Sequence, residues 1–184
     1  RPECGVCYSR IYNFYENNPQ ELLANKNERL LDSDNFFLAI LKNNFINVLA
    51  VLIRKEAFDR FGAFPAGWPA CDEHYVWINL AYHQVKFCHV DKAVGRLRLH
   101  QKEDSRRQGH VFDTASKFLE LLDIVESWFT PDEEVRYSDD TRALRRRWQK
   151  LLIVGWLLKT PPFSWILMPL YLLRRDAQYK LIKK

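Results

Sequence analysis

The chain has 184 residues, of which 47% are hydrophobic and 14% aromatic, so it can bury a substantial core and is not expected to be disordered. Its net charge of +5 is unevenly distributed: 17 basic and 22 acidic residues precede Arg142, whereas 11 basic residues and one acid, Asp176, lie from Arg142 onward. A basic segment that also carries apolar runs favours anionic lipid over a nucleic-acid groove, which argues against nucleic-acid binding.

The first third of the chain predicts two strands and one helix. The β-forming residues of Gly5 to Phe14 indicate a strand, and the Asn, Pro and Gln content of Glu16 to Asn27 is typical of a surface loop. Apolar residues at helical spacing predict a short helix over Asp34 to Lys42, with Ser33 or Asp34 as its N-cap. The β-branched residues of Phe45 to Arg54 predict a buried strand.

The middle of the chain predicts two helices and two further strands. Lys55 to Phe61 has the pattern of a short helix that ends at Gly62. Asp72 to Ala81 predicts an amphipathic helix with two acids in its first turn. Val85 to Val90 and Ala93 to Leu99 then resemble two separate strands.

The last part of the chain is predicted to be helical. A polar segment, Gln101 to Gly109, precedes an amphipathic helix over Thr114 to Phe129, and Pro131 to Asp140 is expected to be a charged connector. Mixed α/β structure therefore gives way to helices, and we predict domains at residues 1–110, 111–140 and 141–184.

The four cysteines, Cys4, Cys7, Cys71 and Cys88, do not form the two close pairs that a four-ligand zinc site usually needs. We expect buried, reduced thiols, which fit a reducing cytoplasmic compartment. The alternative is a redox-active Cys4-x-x-Cys7 pair, but it lies at the start of a predicted strand instead of before a helix.

Five short motifs follow one another along the chain: Asn44-Phe45-Ile46, the apolar strand that ends in Arg54-Lys55, Phe61-Gly62-Ala63-Phe64, Asp72-Glu73 before Trp77, and Arg98-Leu99-His100. Their order resembles the second half of the family 2 glycosyltransferases. The resemblance covers about residues 3 to 110, and its specificity lies in the order and spacing of the motifs. It implies a partial A-type nucleotide-sugar fold, with a Rossmann-like α/β sheet, and transfer of a sugar to an acceptor hydroxyl with inversion.

The reaction that the resemblance implies needs a base, because an alcohol is a poor nucleophile at neutral pH. By resemblance Glu73 is this base and Asp72 contacts the acceptor or supports Glu73. The chain carries the acidic pair in the reverse of the family's order, which leaves an exchange of the two roles open. The alternative interpretation of the pair is a helix-capping device without chemistry.

The resemblance also implies donor-binding and cation-binding residues. Arg98 and His100 are expected near the diphosphate, with His100 as a candidate ligand of Mg or Mn, although a solvated edge strand is an equal alternative. Trp68 is expected to stack on a sugar ring, with packing as its alternative. The main cation ligands, an Asp-x-Asp motif, are expected upstream of Arg1. The other histidines, His74, His83, His89 and His110, are not spaced as a metal site and are interpreted as structural or exposed.

Two apolar runs in the tail predict contact with a membrane. Leu151 to Leu158 and Phe163 to Leu173 are each too short to span a bilayer, and Pro161 and Pro162 between them should break the helix. A hairpin would place the arginines that flank the two runs at the anionic cytoplasmic face. Packing of these helices on protein is the alternative.

The sequence as a whole predicts the C-terminal part of an inverting glycosyltransferase in surface polysaccharide or glycolipid synthesis. Its expected partners are a nucleotide-sugar donor, a carbohydrate or glycolipid acceptor and the inner face of the cytoplasmic membrane. The alternative is a non-catalytic module that anchors to a membrane or a partner. The residues do not specify the donor sugar, the acceptor or the oligomeric state.

Overall fold

The computed structural model describes residues 3–24, 35–66, 72–99, 101–161 and 163. Within them the fold is mixed α/β, with a four-stranded sheet and five α-helices, as the sequence predicts. The chain divides into two compact units, Arg1–Asp104 and Ser105–Lys184. The described residues of the first unit hold the sheet and three short helices, and those of the second hold most of one long helix and the whole of another.

The sheet is built around one long strand, β1 (Val6–Tyr15). The last strand, β4 (Phe87–Leu99), pairs with it in parallel along its whole length, from Val6↔Phe87 to Tyr15↔Leu99. The two shorter strands, β2 (Asn18–Ala24) and β3 (Val51–Ile53), pair antiparallel with opposite ends of β1. Three helices lie between β1 and β4 in the chain and provide the long connection that a parallel pair requires. Helix α1 (Phe36–Lys42) precedes β3, and α2 (Lys55–Phe61) and α3 (Asp72–Tyr82) follow it.

Three predictions for the region of the sheet are wrong in part: one concerns a loop and two concern strands. Glu16 to Asn27 is not a loop throughout, because β2 forms a hairpin with β1 over part of it. Phe45 to Arg54 is not one buried strand: it contains a 3₁₀ turn (Val48–Ala50) and the three-residue β3, in which Leu52 is 77% exposed. β-Branched residues favour strands, but which of them pair depends on the distant β1.

The two strands predicted over Val85 to Val90 and Ala93 to Leu99 form the single strand β4. Its register against β1 shifts where Ser9 pairs with Val90 and Arg10 pairs with Ala93, so that Asp91 and Lys92 bulge. The Ser9 hydroxyl donates to the Lys92 carbonyl at this bulge. The polar residues that suggested a break between two strands therefore mark an irregularity within one.

The short helices follow the sequence pattern closely. Helix α1 spans Phe36–Lys42, and its N-cap is Asn35, whose side chain accepts from the Leu38 N–H, so neither Ser33 nor Asp34 is the cap. Helix α2 spans Lys55–Phe61 and ends at Gly62, which has φ of +91°. This left-handed backbone conformation favours glycine and explains why the helix stops there.

The core of the first unit lies beside the sheet, where α1 packs against α3 (Asp72–Tyr82). Trp77 and Ile40 have no exposed surface, and Val6 and Ile11 of β1 are equally buried. The helix predicted over Asp72 to Ala81 is thus confirmed, but its amphipathic pattern is not: Val76 to Leu80 are five consecutive buried residues, so this part of α3 is buried on all sides.

Two long helices, α4 (Gln101–Glu126) and α5 (Pro131–Lys159), account for nearly all of the described residues of the second unit. Helix α4 includes the polar segment Gln101 to Gly109, and α5 includes Pro131 to Asp140, so the predicted charged connector is wrong. Thr130 forms a capping box with Glu133, and Pro131 occupies the first helical turn. These are helix-start signals, and they outweigh the connector-like charge of the segment.

The two long helices pack through aromatic and charged contacts. Phe118 and Trp148 stack with their ring centroids 4.3 Å apart, and the Arg145 guanidinium donates to Asp123 at 2.7 Å and to Glu126 at 2.6 Å. Gly155 permits a close approach, since a Cβ there would lie 2.7 Å from the Phe112 backbone nitrogen. These contacts account for the buried side of α5.

Helix α5 ends at Lys159, shortly before Pro161, as the sequence predicts. Of the second apolar run, all but Phe163 lies outside the described residues, and so does the predicted hairpin. None of the helices in the described part of the chain is long and apolar enough to cross a membrane.

The expectation of reduced thiols is wrong for two of the cysteines. Cys4 and Cys88 form a disulfide, with their Cα atoms 5.9 Å apart, while Cys7 is free and Cys71 lies outside the described residues. The two bonded cysteines are 84 positions apart in the chain, and the pairing of β1 with β4 brings them together. Spacing along the sequence gave no signal for this pair.

Candidate active site

The first turn of α3 carries Asp72 and Glu73, and two hydrogen bonds fix this helix in place. The His74 ring Nε2 lies 2.6 Å from the Ile40 carbonyl of α1, and the Asn79 side-chain amide donates to the Phe61 carbonyl at the end of α2 at 2.6 Å. His74 and Asn79 are both buried. The position of α3, and with it that of the acidic pair, is therefore set by buried polar contacts to α1 and α2.

His74 has a structural role, as the sequence predicts. Burial lowers its pKa to about 4, partly offset by the hydrogen bond to Ile40. The ring is therefore neutral at pH 7, and Nε2–H donates to the Ile40 carbonyl.

Glu73 faces a cavity of about 400 Å³. The cavity is lined by residues 44–49, which connect α1 to the 3₁₀ turn, and by Leu97 of β4. Asn47 shapes this wall, since its side chain caps the 3₁₀ turn by accepting from the Leu49 N–H at 3.0 Å. The space beside the carboxylate is thus bounded by three parts of the chain that are distant in sequence.

The environment of Glu73 raises its pKa. Burial of the carboxyl group contributes most, followed by the side-chain hydrogen bond with Asp72 and the charge of Asp72, and a backbone hydrogen bond partly opposes them. A carboxylate with a raised pKa holds a proton more strongly, so it is a better base than an exposed glutamate. Such a half-buried acidic pair at the wall of a cavity is a candidate for proton transfer.

The remaining predicted site residues are not brought to this cavity by the described part of the chain. Trp68 and His100 lie outside the described residues. Arg98 is exposed and forms an ion pair with Glu16, with 3.7 Å between nitrogen and oxygen. Because side chains alternate along a strand, Arg98 points to the face of β4 opposite that of Leu97, which lines the cavity.

The wall formed by residues 44–49 was not predicted as part of the site, although Asn44-Phe45-Ile46 belongs to the motif series. The available signal was the group of asparagines at 43, 44 and 47, which is typical of an irregular segment and not of a buried strand.

The described residues do not form a Mg or Mn site at the acidic pair. Among them, the group of potential ligands close enough to share an ion is Glu3, Cys4 and Cys88. The two sulfur atoms of this group are bonded to each other, and Mg and Mn prefer oxygen ligands. Asp72 and Glu73 are not part of any such group among the described residues.

Comparison with known proteins adds no relative: no protein-family model matches the chain, and searches of curated proteins and of solved structures give no match. The resemblance to family 2 glycosyltransferases therefore depends on the order of the motifs alone. The candidate site depends on the geometry around Glu73.

Proposed function

We propose that the chain is the acceptor-side, C-terminal part of an inverting glycosyltransferase of family 2. It would help to move a sugar from a nucleotide-sugar donor to an acceptor hydroxyl in surface polysaccharide or glycolipid synthesis. The observation that carries this proposal is Glu73: a half-buried carboxylate with a raised pKa at the wall of a cavity, beside a second carboxylate. Its place in the motif order is the one that the family's base would occupy.

In the proposed reaction Glu73 accepts the proton of the acceptor hydroxyl as the acceptor oxygen bonds to the anomeric carbon. The bond between that carbon and the diphosphate breaks on the opposite face of the sugar, which gives inversion. Asp72 keeps the pKa of Glu73 raised through its hydrogen bond and its charge. The buried contacts of His74 and Asn79 hold the first turn of α3, because a base that is displaced by one ångström loses much of its rate.

The donor side of the reaction is assigned to other residues. A divalent cation, Mg or Mn, would stabilise the diphosphate that leaves, with its main ligands expected upstream of Arg1. The finer fold assignment, a partial A-type Rossmann-like sheet, is part of the same proposal. The parallel pairing of β1 with β4 across three helices supports it.

The proposal predicts release of a nucleoside diphosphate by the parent protein that includes the upstream residues. We expect release from one of a set of UDP-, GDP- and dTDP-linked sugars, and we expect it to rise on addition of lipid-linked acceptors extracted from the source membranes. The measurement is coupled detection of the free nucleotide. Absence of release across the set, from protein that is folded by circular dichroism, would contradict the proposal.

The C-terminal half of α5 supports the second part of the proposal, which is contact with a membrane surface. Arg146 and Lys150 are exposed one turn apart, and the following turns expose Ile153 (58%) and Trp156 (52%). Residues 141–159 contain no acidic residue. A helix surface that changes from basic to apolar suits the interface between anionic headgroups and acyl chains.

Neutralising Arg146 and Lys150 together is predicted to weaken binding to anionic vesicles by about 30-fold, since each basic residue near such a surface contributes about 1 kcal/mol. The measurement is flotation of the 184-residue chain with phosphatidylcholine vesicles that contain or lack phosphatidylglycerol. The double substitution R146Q/K150Q should lose only the binding that depends on phosphatidylglycerol, and Ile153→Ser with Trp156→Ser should weaken binding to both kinds of vesicle.

The control for this test is Val135→Ser, because Val135 is 78% exposed on the same helix but lies before the basic region. Substitutions are preferable to a truncation at Asp140, which would remove the α5 side chains that pack on α4. Equal flotation of R146Q/K150Q and the Val135→Ser control would refute membrane contact through this surface.

The cytoplasmic face of the membrane is proposed as the location because the excess of basic residues lies in the tail. The Cys4–Cys88 disulfide weighs against a strongly reducing compartment, where structural disulfides are rare. The alternative function, a non-catalytic anchoring module, predicts vesicle binding without nucleotide release. The two experiments together distinguish it from the transferase.

A further inference from the structure

A second cavity, of about 520 Å³, lies at the other end of the β1–β4 pair from Leu97. All three described cysteines line it: the disulfide-bonded Cys4 and Cys88, and the free, partly exposed Cys7. Neither the acidic pair nor any other residue of the proposed transferase site lines this cavity. The grouping of a free thiol with a disulfide at one cavity calls for its own explanation.

The register of the sheet places Cys7 directly opposite Cys88. The two residues are partners in the parallel pairing of β1 with β4, and partners in neighbouring strands point their side chains to the same face of the sheet. Neighbouring strands lie about 4.8 Å apart, which is within the range of Cα separations of about 4.4 to 6.8 Å that disulfides span. Cys88 can therefore bond to Cys7 with the strands in their present positions.

Cys88 already bonds to Cys4, whose Cα lies 5.9 Å away on the other side. Cys4 precedes β1, and its carbonyl accepts a hydrogen bond from the Arg54 Nε at 2.7 Å. Cys88 is thus bonded to one cysteine and lies opposite a second, Cys7, whose thiol is free. A disulfide with a free thiol beside it can exchange without any external oxidant or reductant.

We propose that Cys4, Cys7 and Cys88 form an intramolecular thiol–disulfide exchange site. The Cys7 thiolate attacks the sulfur of Cys88, the Cys7–Cys88 bond forms, and the Cys4–Cys88 bond breaks. Cys4 leaves as a thiolate and takes a proton from water, so the numbers of thiols and disulfides are unchanged. The exchange frees the segment before β1 from β4, while β1 and β4 become linked directly.

The first test uses the 184-residue chain with Cys71→Ser, which leaves the three cysteines of the cluster. The protein is held at a series of pH values between 6 and 8.5, quenched with acid and alkylated. Residues 1–10 contain Cys4 and Cys7 without an internal tryptic site, so tandem mass spectrometry must assign the label within that peptide. We expect label on both residues, because exchange interconverts the Cys4–Cys88 and Cys7–Cys88 disulfides and each of them leaves the other cysteine free.

The second test adds Cys4→Ser to the Cys71→Ser chain and equilibrates it in a buffer of reduced and oxidised glutathione. We expect a Cys7–Cys88 disulfide and no free thiol by Ellman's reagent. The matched control, Cys7→Ser with Cys71→Ser, should retain Cys4–Cys88 and likewise show no free thiol.

Two free thiols in the folded Cys4→Ser variant, or label on Cys7 alone in the three-cysteine chain at every pH, would overturn the proposal. If Cys4→Ser does not fold, the labelling of the three-cysteine chain decides. These outcomes are independent of glycosyl transfer and leave the proposed function untouched.

Discussion

If the parent protein is the proposed transferase, replacing Glu73 by Gln is expected to lower kcat by about 10²- to 10⁴-fold, the usual contribution of a general base. Glutamine has nearly the shape of glutamate but cannot accept the proton of the acceptor hydroxyl. The half-buried position of Glu73 at the cavity means that solvent is a poor substitute for it. The measurement is the rate of nucleoside diphosphate release at saturating donor and acceptor.

The matched control for this substitution is Glu56→Gln. Glu56 is also an acid in the first turn of a short helix, α2, but it is exposed. It shares the helix-dipole role of Glu73 and has no place at the cavity, so its loss should leave kcat within about twofold. A comparable decrease in both variants would mean that the acidic pair acts on the helix and not on the reaction.

Asp72→Asn distinguishes the roles of the two acids. The substitution removes the charge of Asp72 and alters the hydrogen bond, both of which raise the pKa of Glu73. If Glu73 is the base, the acidic limb of the pH–rate profile should move to lower pH while catalysis persists. If the reversed order of the pair exchanges their roles, Asp72→Asn will show the large loss of kcat instead, and Glu73→Gln the smaller effect.

The sequence predicted the helix that carries the candidate base because its signals are local. Asp72 and Glu73 at the first turn, and buried residues such as Trp77 at helical spacing, specify α3 without reference to the rest of the chain. Gly62 likewise ends α2 through its own backbone conformation. Features of this kind need only a few neighbouring residues, so they can be identified in a single sequence.

The features that were missed depend on contacts between distant residues. The cavity at Glu73 combines residues 44–49 with Leu97, and the Cys4–Cys88 disulfide joins positions that only the β1–β4 pairing brings together. The Pro131 segment was misjudged for another reason: its charges resemble a connector, while the capping box at Thr130 starts a helix that Arg145 and Trp148 attach to α4. Long-range packing decided the first two cases, whereas the capping box at Thr130 is a local signal that the charges of the segment outweighed in the prediction.

Lowering the pH from 7 to 4.5 is expected to cost the first unit about 2 to 3 kcal/mol of stability through His74 alone. The pKa of this ring is about 4 in the folded chain and about 6.5 when the chain is unfolded. Its contribution is therefore fully present above pH 6.5, and it is lost as the pH falls toward 4, because the unfolded chain binds the proton first. Urea denaturation at a series of pH values measures this loss.

The His74→Gln variant isolates this contribution from those of the other titrating groups. Glutamine can also donate to the Ile40 carbonyl but does not titrate, so the variant should lose less stability on acidification than the wild type does. His83→Gln is the control for the exchange of a histidine for a glutamine, because His83 is exposed and lies just after the other end of α3. Parallel acid dependence of the wild type and His74→Gln would mean that the ring is not held neutral by burial.

The acid sensitivity of His74 also bears on the candidate base, because the two residues are adjacent in the first turn of α3. Protonation of the buried ring opposes its packing against Ile40, and that packing fixes the helix turn on which Glu73 lies. The raised pKa of Glu73 acts in the opposite sense: its stabilising effect is present below about pH 4.5 and is lost as the pH rises. The packing of His74 against Ile40 holds the first turn of α3 best while the His74 ring is neutral. The pH at which this ring becomes protonated is therefore a lower pH limit for a base at position 73.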